Sequence, residues 1–100
     1  MNTTVLELQI EPRIERIDST ESYLIVYLKD GRILSVPLAW FPRLASGSPE
    51  ELRRYQLAGD GYAVHWPELD EDIHVADLMA GCRSGESAAS LSRWLASRKT

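Results

Sequence analysis

A single cysteine, Cys82, is the chain's whole supply of thiol chemistry. That excludes an internal disulfide and any zinc site built on cysteine pairs. A chain without disulfides suits a reducing compartment, so a cytoplasmic location is expected. Long apolar runs are absent, and none approaches the roughly 20 residues needed to span a bilayer. The first ten residues lack a basic start and a cleavable apolar stretch, so no secretory signal is expected. Basic residues are in deficit: 11 Lys and Arg against 15 Asp and Glu give a net charge of −4. That balance argues against general affinity for nucleic-acid phosphates. Internal repeats and low-complexity tracts are absent too.

What remains is ordinary for one small domain: 100 residues, 44% apolar and 26% charged, enough for a single thin core. Leu6, Leu8 and Ile10 share one parity over residues 1–10, as in an added edge strand or a loosely ordered start. Residues 13–18 read as a short strand. Residues 22–28 are rich in β-branched and aromatic side chains and read as a central strand. Asp30-Gly31 predicts a type I′ hairpin, with positive φ at both positions. Residues 32–36 return, and Pro37 ends the strand.

Ser48-Pro49-Glu50-Glu51 predicts a helix over 49–55, opened by a capping box. Residues 56–58 and 62–66 read as strands around Gly59-Asp60-Gly61. Asp72 is expected to cap a helix over 73–80, closed by Gly81. Ser84-Gly85-Glu86-Ser87 reads as a hinge before a helix over 88–98, whose apolar face carries Ala88, Leu91, Trp94 and Leu95. The expected fold class is α+β: a small, mostly antiparallel sheet with two or three short helices. The expected organisation is one domain over 1–81, then a hinge and amphipathic helix over 82–100.

The most conspicuous segment runs from Gly61 to Ile73. It holds His65, Trp66, Pro67 and four carboxylates, Glu68, Asp70, Glu71 and Asp72. His65, Asp70, Asp72 and His74 are residue types that bind zinc or iron, but their spacing matches no metal motif. His65, Trp66, Asp70 and Asp72 are the candidate ligand site. Alternation instead turns Val64 and Trp66 inward and leaves His65 half-exposed. Asp70 and Asp72 then bond backbone N–H groups in a turn and a cap. No nucleophile or Gly-rich cradle accompanies the carboxylates, so a solvated acidic face fits them better than acid–base work. Its functional form is a docking patch for a basic partner.

Several blocks together resemble a known family. They are Asp30-Gly31-Arg32 with Val36-Pro37-Leu38-Ala39-Trp40, Pro42-Arg43-Leu44, Ser48-Pro49-Glu50-Glu51, the segment from Gly61 to Ile73, Leu78-Met79-Ala80-Gly81, and Ser84-Gly85-Glu86-Ser87 with Leu91-Ser92-Arg93-Trp94-Leu95. Over residues 13–98 the chain is similar to the bacterial domain-of-unknown-function family 2442. The resemblance implies a small α+β domain with no enzymatic activity to carry over. It also implies a setting beside a second small protein, in a toxin–antitoxin-like pair. Some members carry a helix-turn-helix domain, for which no room is expected after residue 81. His74 stands where the resemblance implies a small polar residue.

The tail from Arg83 to Lys99 carries four basic groups and one acid. It complements the acidic loop, within one molecule or between two, better than it suits a nucleic-acid groove, since Trp94 alone is placed to stack. A helix of about eleven residues is marginal in water by itself, so it must dock on its own domain, on a partner or on a second copy. The sequence therefore points to a non-enzymatic interaction module, adaptor or antitoxin-like, that binds a small protein partner. Leu91, Trp94 and Leu95 supply its apolar contact, and Glu68, Asp70, Glu71 and Asp72 its charge. No catalytic residue, cofactor or metal is expected. A ligand-binding domain or enzyme at His65 and a nucleic-acid-associated regulator are the alternatives.

Overall fold

A computed structural model describes residues 12–98; the alternating stretch over residues 1–10 lies outside them. The fold is α+β, and its antiparallel strands fall into two three-stranded meanders. The first is β1 (Ile14–Ser19), β2 (Tyr23–Leu28) and β3 (Ile33–Pro37), with β2 central. Along β2, Leu24, Val26 and Leu28 are buried, while Tyr23, Ile25 and Tyr27 take the other face. Ile14 and Ile17 are three apart, yet both are buried. A register shift between Ile14 and Arg16 lets both turn inward, as a bulge does.

The β2–β3 connection departs from the type I′ expectation. The Gly31 N–H donates to Leu28 O (3.0 Å), and the Leu28 N–H donates to Arg32 O (2.9 Å). Gly31 has positive φ and Asp30 does not. This is a three-residue loop, a type I turn followed by a left-handed glycine. Asp30 accepts from the Arg32 backbone N–H (3.0 Å) and side chain (2.9 Å), which favours the longer loop.

A 3₁₀ turn (Leu38–Trp40) and two short helices, α1 (Pro42–Ala45) and α2 (Pro49–Arg53), lead to the second meander. Helix α2 has the predicted capping box, with Ser48 and Glu51 each bonding the other's backbone N–H, and stops two residues short of the expected end. The second sheet is β4 (Gln56–Ala58), β5 (Ala63–Trp66) and β6 (Glu71–His74). Strand β6 replaces the start of the expected helix over 73–80. Val64 pairs with Ile73 and His65 with Asp72, and that ladder outweighs the weak strand propensity of Glu71-Asp72-Ile73-His74. Helix α3 (Val75–Ala80) therefore begins later, with His74 rather than Asp72 at its N-cap and no side-chain cap bond. Gly81 closes it as predicted: its N–H donates to Leu78 O and that of Cys82 to Asp77 O, the Schellman pattern.

The meanders share one core of Ile14, Ile17, Leu24, Val26, Leu28, Val36, Leu38, Phe41, Leu44, Leu52, Val64, Trp66, Leu69, Ile73, Val75 and Leu78. Trp66 is wholly buried, and its indole N–H donates to Leu52 O (3.0 Å). The Tyr55 hydroxyl accepts from the Ile17 N–H (3.0 Å). Gly61 holds positive φ where a Cβ would lie 2.5 Å from Ile14 O, so the turn between β4 and β5 lies close against the β1 backbone. No helix among the described residues is long and apolar enough to cross a membrane.

Candidate functional site

Helix α4 (Ala88–Ser97) docks on this body. Ser87 caps it by accepting from the Ser90 N–H (3.1 Å). None of its residues is fully buried. Leu91, Trp94 and Leu95 are half-buried, and Trp94 packs against the core cluster. The sequence left open whether this helix covers its own domain. Here its apolar face lies against that domain and is incompletely covered.

Arg43 is the hub of the attachment. Its neighbours Phe41 and Leu44 are buried, which anchors α1 and leaves Arg43 facing the helix. Its Nε donates to both Glu86 carboxylate oxygens (2.9 Å each) and Nη2 to Oε2 (2.5 Å). Nη1 donates to the Asp70 backbone O (3.0 Å) and to its Oδ2 (3.2 Å). Ser90 Oγ donates to Glu86 Oε2 (2.9 Å). A second tie comes from the helix C-terminus: Arg98 donates to Glu51 Oε1 (2.8 Å) and to the Glu68 backbone O (3.2 Å). Both guanidinium groups lie over the Trp94 ring, Arg43 at 5.0 Å and Arg98 at 4.7 Å from its centroid, within cation–π range. The hinge is held at its start, where the Ser84 N–H donates to Trp40 O (3.0 Å) and Arg83 lies over the Trp40 ring.

The charges of these ties are set by their partners. Hydrogen bonds from Arg43 hold the Glu86 carboxyl below the ordinary glutamate value. Arg98, then the Ser48 N–H, do the same for Glu51. Glu71 is displaced the other way, upward, because burial removes water from its carboxylate. It lines a cleft of about 210 Å³ with Phe41, Asp77, Cys82 and Arg83.

The expected acidic patch is therefore largely engaged within the molecule. Glu68 is bonded by Arg54, which keeps its carboxyl below the usual value. Asp70 accepts from Arg43. Asp72 approaches His65 Nδ1 at 2.5 Å, so the expected backbone caps give way to side-chain partners. Positive φ at Asp70 turns the chain into β6 and brings Asp72 opposite His65. His65 and Asp72 thus meet on an exposed sheet face, Asp70 is drawn off towards Arg43, and Trp66 lies inside the core. Among the described residues, no group of three or more His, Cys, Asp or Glu side chains is placed to hold a metal. In the sequence Arg43 stands out only as part of the Pro42-Arg43-Leu44 block; its hub role depends on contacts 27 and 43 residues away.

Fold and site together define a small two-meander α+β domain with a C-terminal helix tied on by arginines. The profile of a family described as a protein of unknown function, DUF2442, matches residues 16–84, and the chain belongs to that family. A protein of unknown function from Rhodospirillum rubrum is 30% identical in its crystal structure, with a TM-score of 0.65 over 82% of this chain and 99% of that one. An uncharacterized protein from Chromobacterium violaceum, solved by NMR, shares the fold at 23% identity, with a TM-score of 0.63 over 94% of this chain and 82% of that one. No curated protein matches the chain.

Proposed function

We propose that this chain is a non-enzymatic protein-interaction module that binds a small protein partner through α4 and the adjoining 68–72 loop. The supporting observation is the state of Trp94: a large aromatic, half-covered, with two guanidinium groups over its ring. Tryptophan and arginine are enriched among binding hot spots. Asp70, bonded to the Arg43 that covers this ring, keeps 77% of its side-chain surface exposed, and Asp72 on the β6 face keeps 69%, which suits steering of a basic partner. The toxin-like character of that partner comes from the family resemblance.

The test is recovery of the partner from the native host with the full-length chain, followed by its identification. Leu91→Ala and Trp94→Ala should each weaken recovery while the body still melts cooperatively. Variants that no longer melt cooperatively would assign the helix to the core and remove the support. The 2.5 Å approach of His65 to Asp72 favours a second reading, a small-ligand or metal site. A rise in melting temperature with divalent metals would select it.

A further inference from the structure

Strand β3 is the outer strand of the first sheet, and among the described residues no strand pairs with its far side. Its ladder with β2 fixes which groups face outward. Leu28 N–H bonds Arg32 O, and Leu38 N–H bonds Ser22 O. In the intervening register, Leu24 opposite Val36 and Val26 opposite Leu34 are hydrogen-bonded pairs, and Ile25 opposite Ser35 is not. Ile33 and Ser35 thus turn both backbone groups away from the sheet, and among the described residues no hydrogen bond reaches them. Pro37 follows the same parity, so its missing N–H falls on the open side.

Among the described residues, Pro37 at its end is the one guard on this edge. Edge strands in monomers carry charges, lysine above all, or bulges that discourage pairing. Ile33-Leu34-Ser35-Val36-Pro37 carries no charge, and the flanking Arg32 is paired with Asp30 (2.8 Å). Ile33 is 61% exposed on the outer face. Leu34, on the inner face, is a partly buried neighbour of the core. The opposite edge differs: on β1 the outward Ile17 N–H is already taken by Tyr55.

We propose that β3 pairs antiparallel with β3 of a second copy of this chain, about a two-fold axis at Ser35, joining two three-stranded sheets into one of six. The strand is self-complementary in this register. Each Ser35 N–H donates to the Ser35 carbonyl of the partner subunit, and each Ile33 N–H to the carbonyl of Pro37 of the partner subunit. Ile33 then covers Pro37 of the partner subunit on the outer face, and Leu34 meets Val36 of the partner subunit on the inner face. No like charges are brought together. This inference does not rest on the reading of α4 and concerns a different surface.

Sedimentation velocity over a concentration series tests it on the full chain. The wild type should pass from monomer to dimer. Ser35→Lys and Ser35→Asp each place like charges across the axis and should dimerise at least about tenfold more weakly. Mixing the two variants should restore the dimer, because only this register sets residue 35 against itself. Amide exchange at Ile33 and Ser35 of the wild type, slow when concentrated and fast when dilute, gives the same answer should a variant fail to fold. A wild type monomeric throughout, including one whose edge is covered by its own residues 1–11, overturns the proposal. So does a dimer indifferent to both substitutions, a mixture that stays monomeric, or fast exchange at every concentration.

Discussion

Arg43 and Glu86 meet across 43 residues of sequence, with only 17% and 10% of their side-chain surface exposed. The pair joins α1 to the residue just ahead of the Ser87 cap of α4. Removing one member strands the other's charge in a site poor in water. Arg43→Met keeps an aliphatic stem but leaves Glu86 unpaired, and should cost about 2 kcal/mol, less than for a fully buried pair. Urea unfolding measures the cost. Amide exchange should accelerate in α4 before it does in β2.

Acid should loosen the same attachment. Arg43 lowers the Glu86 carboxyl, and Arg98 lowers that of Glu51, from an ordinary value of 4.5. A carboxyl depressed in the folded state contributes stability above its unfolded value and loses it as pH falls through the folded value. The stabilisation should therefore be complete above pH 4.5 and decline below it. Glu71, raised by burial, acts with the opposite sign: its contribution is present below 4.5 and is lost as pH rises through its higher folded value. Unfolding free energy against pH should fall less steeply below 4.5 in Glu86→Gln than in the wild type.

Two glycines with positive φ separate backbone strain from steric closure. At Gly31 an added Cβ meets nothing within 4 Å; at Gly61 it meets Ile14 O at 2.5 Å and Ile14 N at 2.9 Å. Gly31→Ala should cost about 1 kcal/mol of backbone strain. Gly61→Ala adds a clash with main chain that cannot swing aside, and should cost about 3 kcal/mol. Chemical denaturation of both variants measures the difference.

Helix α3 lacks a side-chain cap because His74 occupies the N-cap position with extended backbone. Threonine suits both the end of β6 and the cap. His74→Thr should stabilise the protein by about 1 kcal/mol, raising the melting temperature by roughly 4–8 °C for a domain of this size. An unchanged melting temperature would show that the α3 start is already satisfied by water.

Where local chemistry dictated structure, the sequence was legible. Ser48 with Glu51, Gly81 as a left-handed helix end, and the apolar run of β2 each carry their own instruction. Strand β6 was not legible, since Ile73 is its one apolar residue and the strand exists through pairing with β5. The β2–β3 loop was misread because Asp-Gly serves two turn types, and the Asp30 contacts with Arg32 decide between them. Arg43 was opaque for a different reason: its partners Asp70 and Glu86 become neighbours only after both meanders have packed.

The family match ends at residue 84, just before Glu86, whose bonds with Arg43 tie α4 down. The Arg43–Glu86 and Arg98–Glu51 bonds thus tie α4 to the body at its two ends, beyond a short connection through Gly85. A connection this short gives a tethered helix an effective concentration on the order of millimolar at its own docking site. An intrinsic Kd equal to that concentration keeps the helix seated half the time. A free molecule bearing a similar helix has to bind far more tightly to displace it.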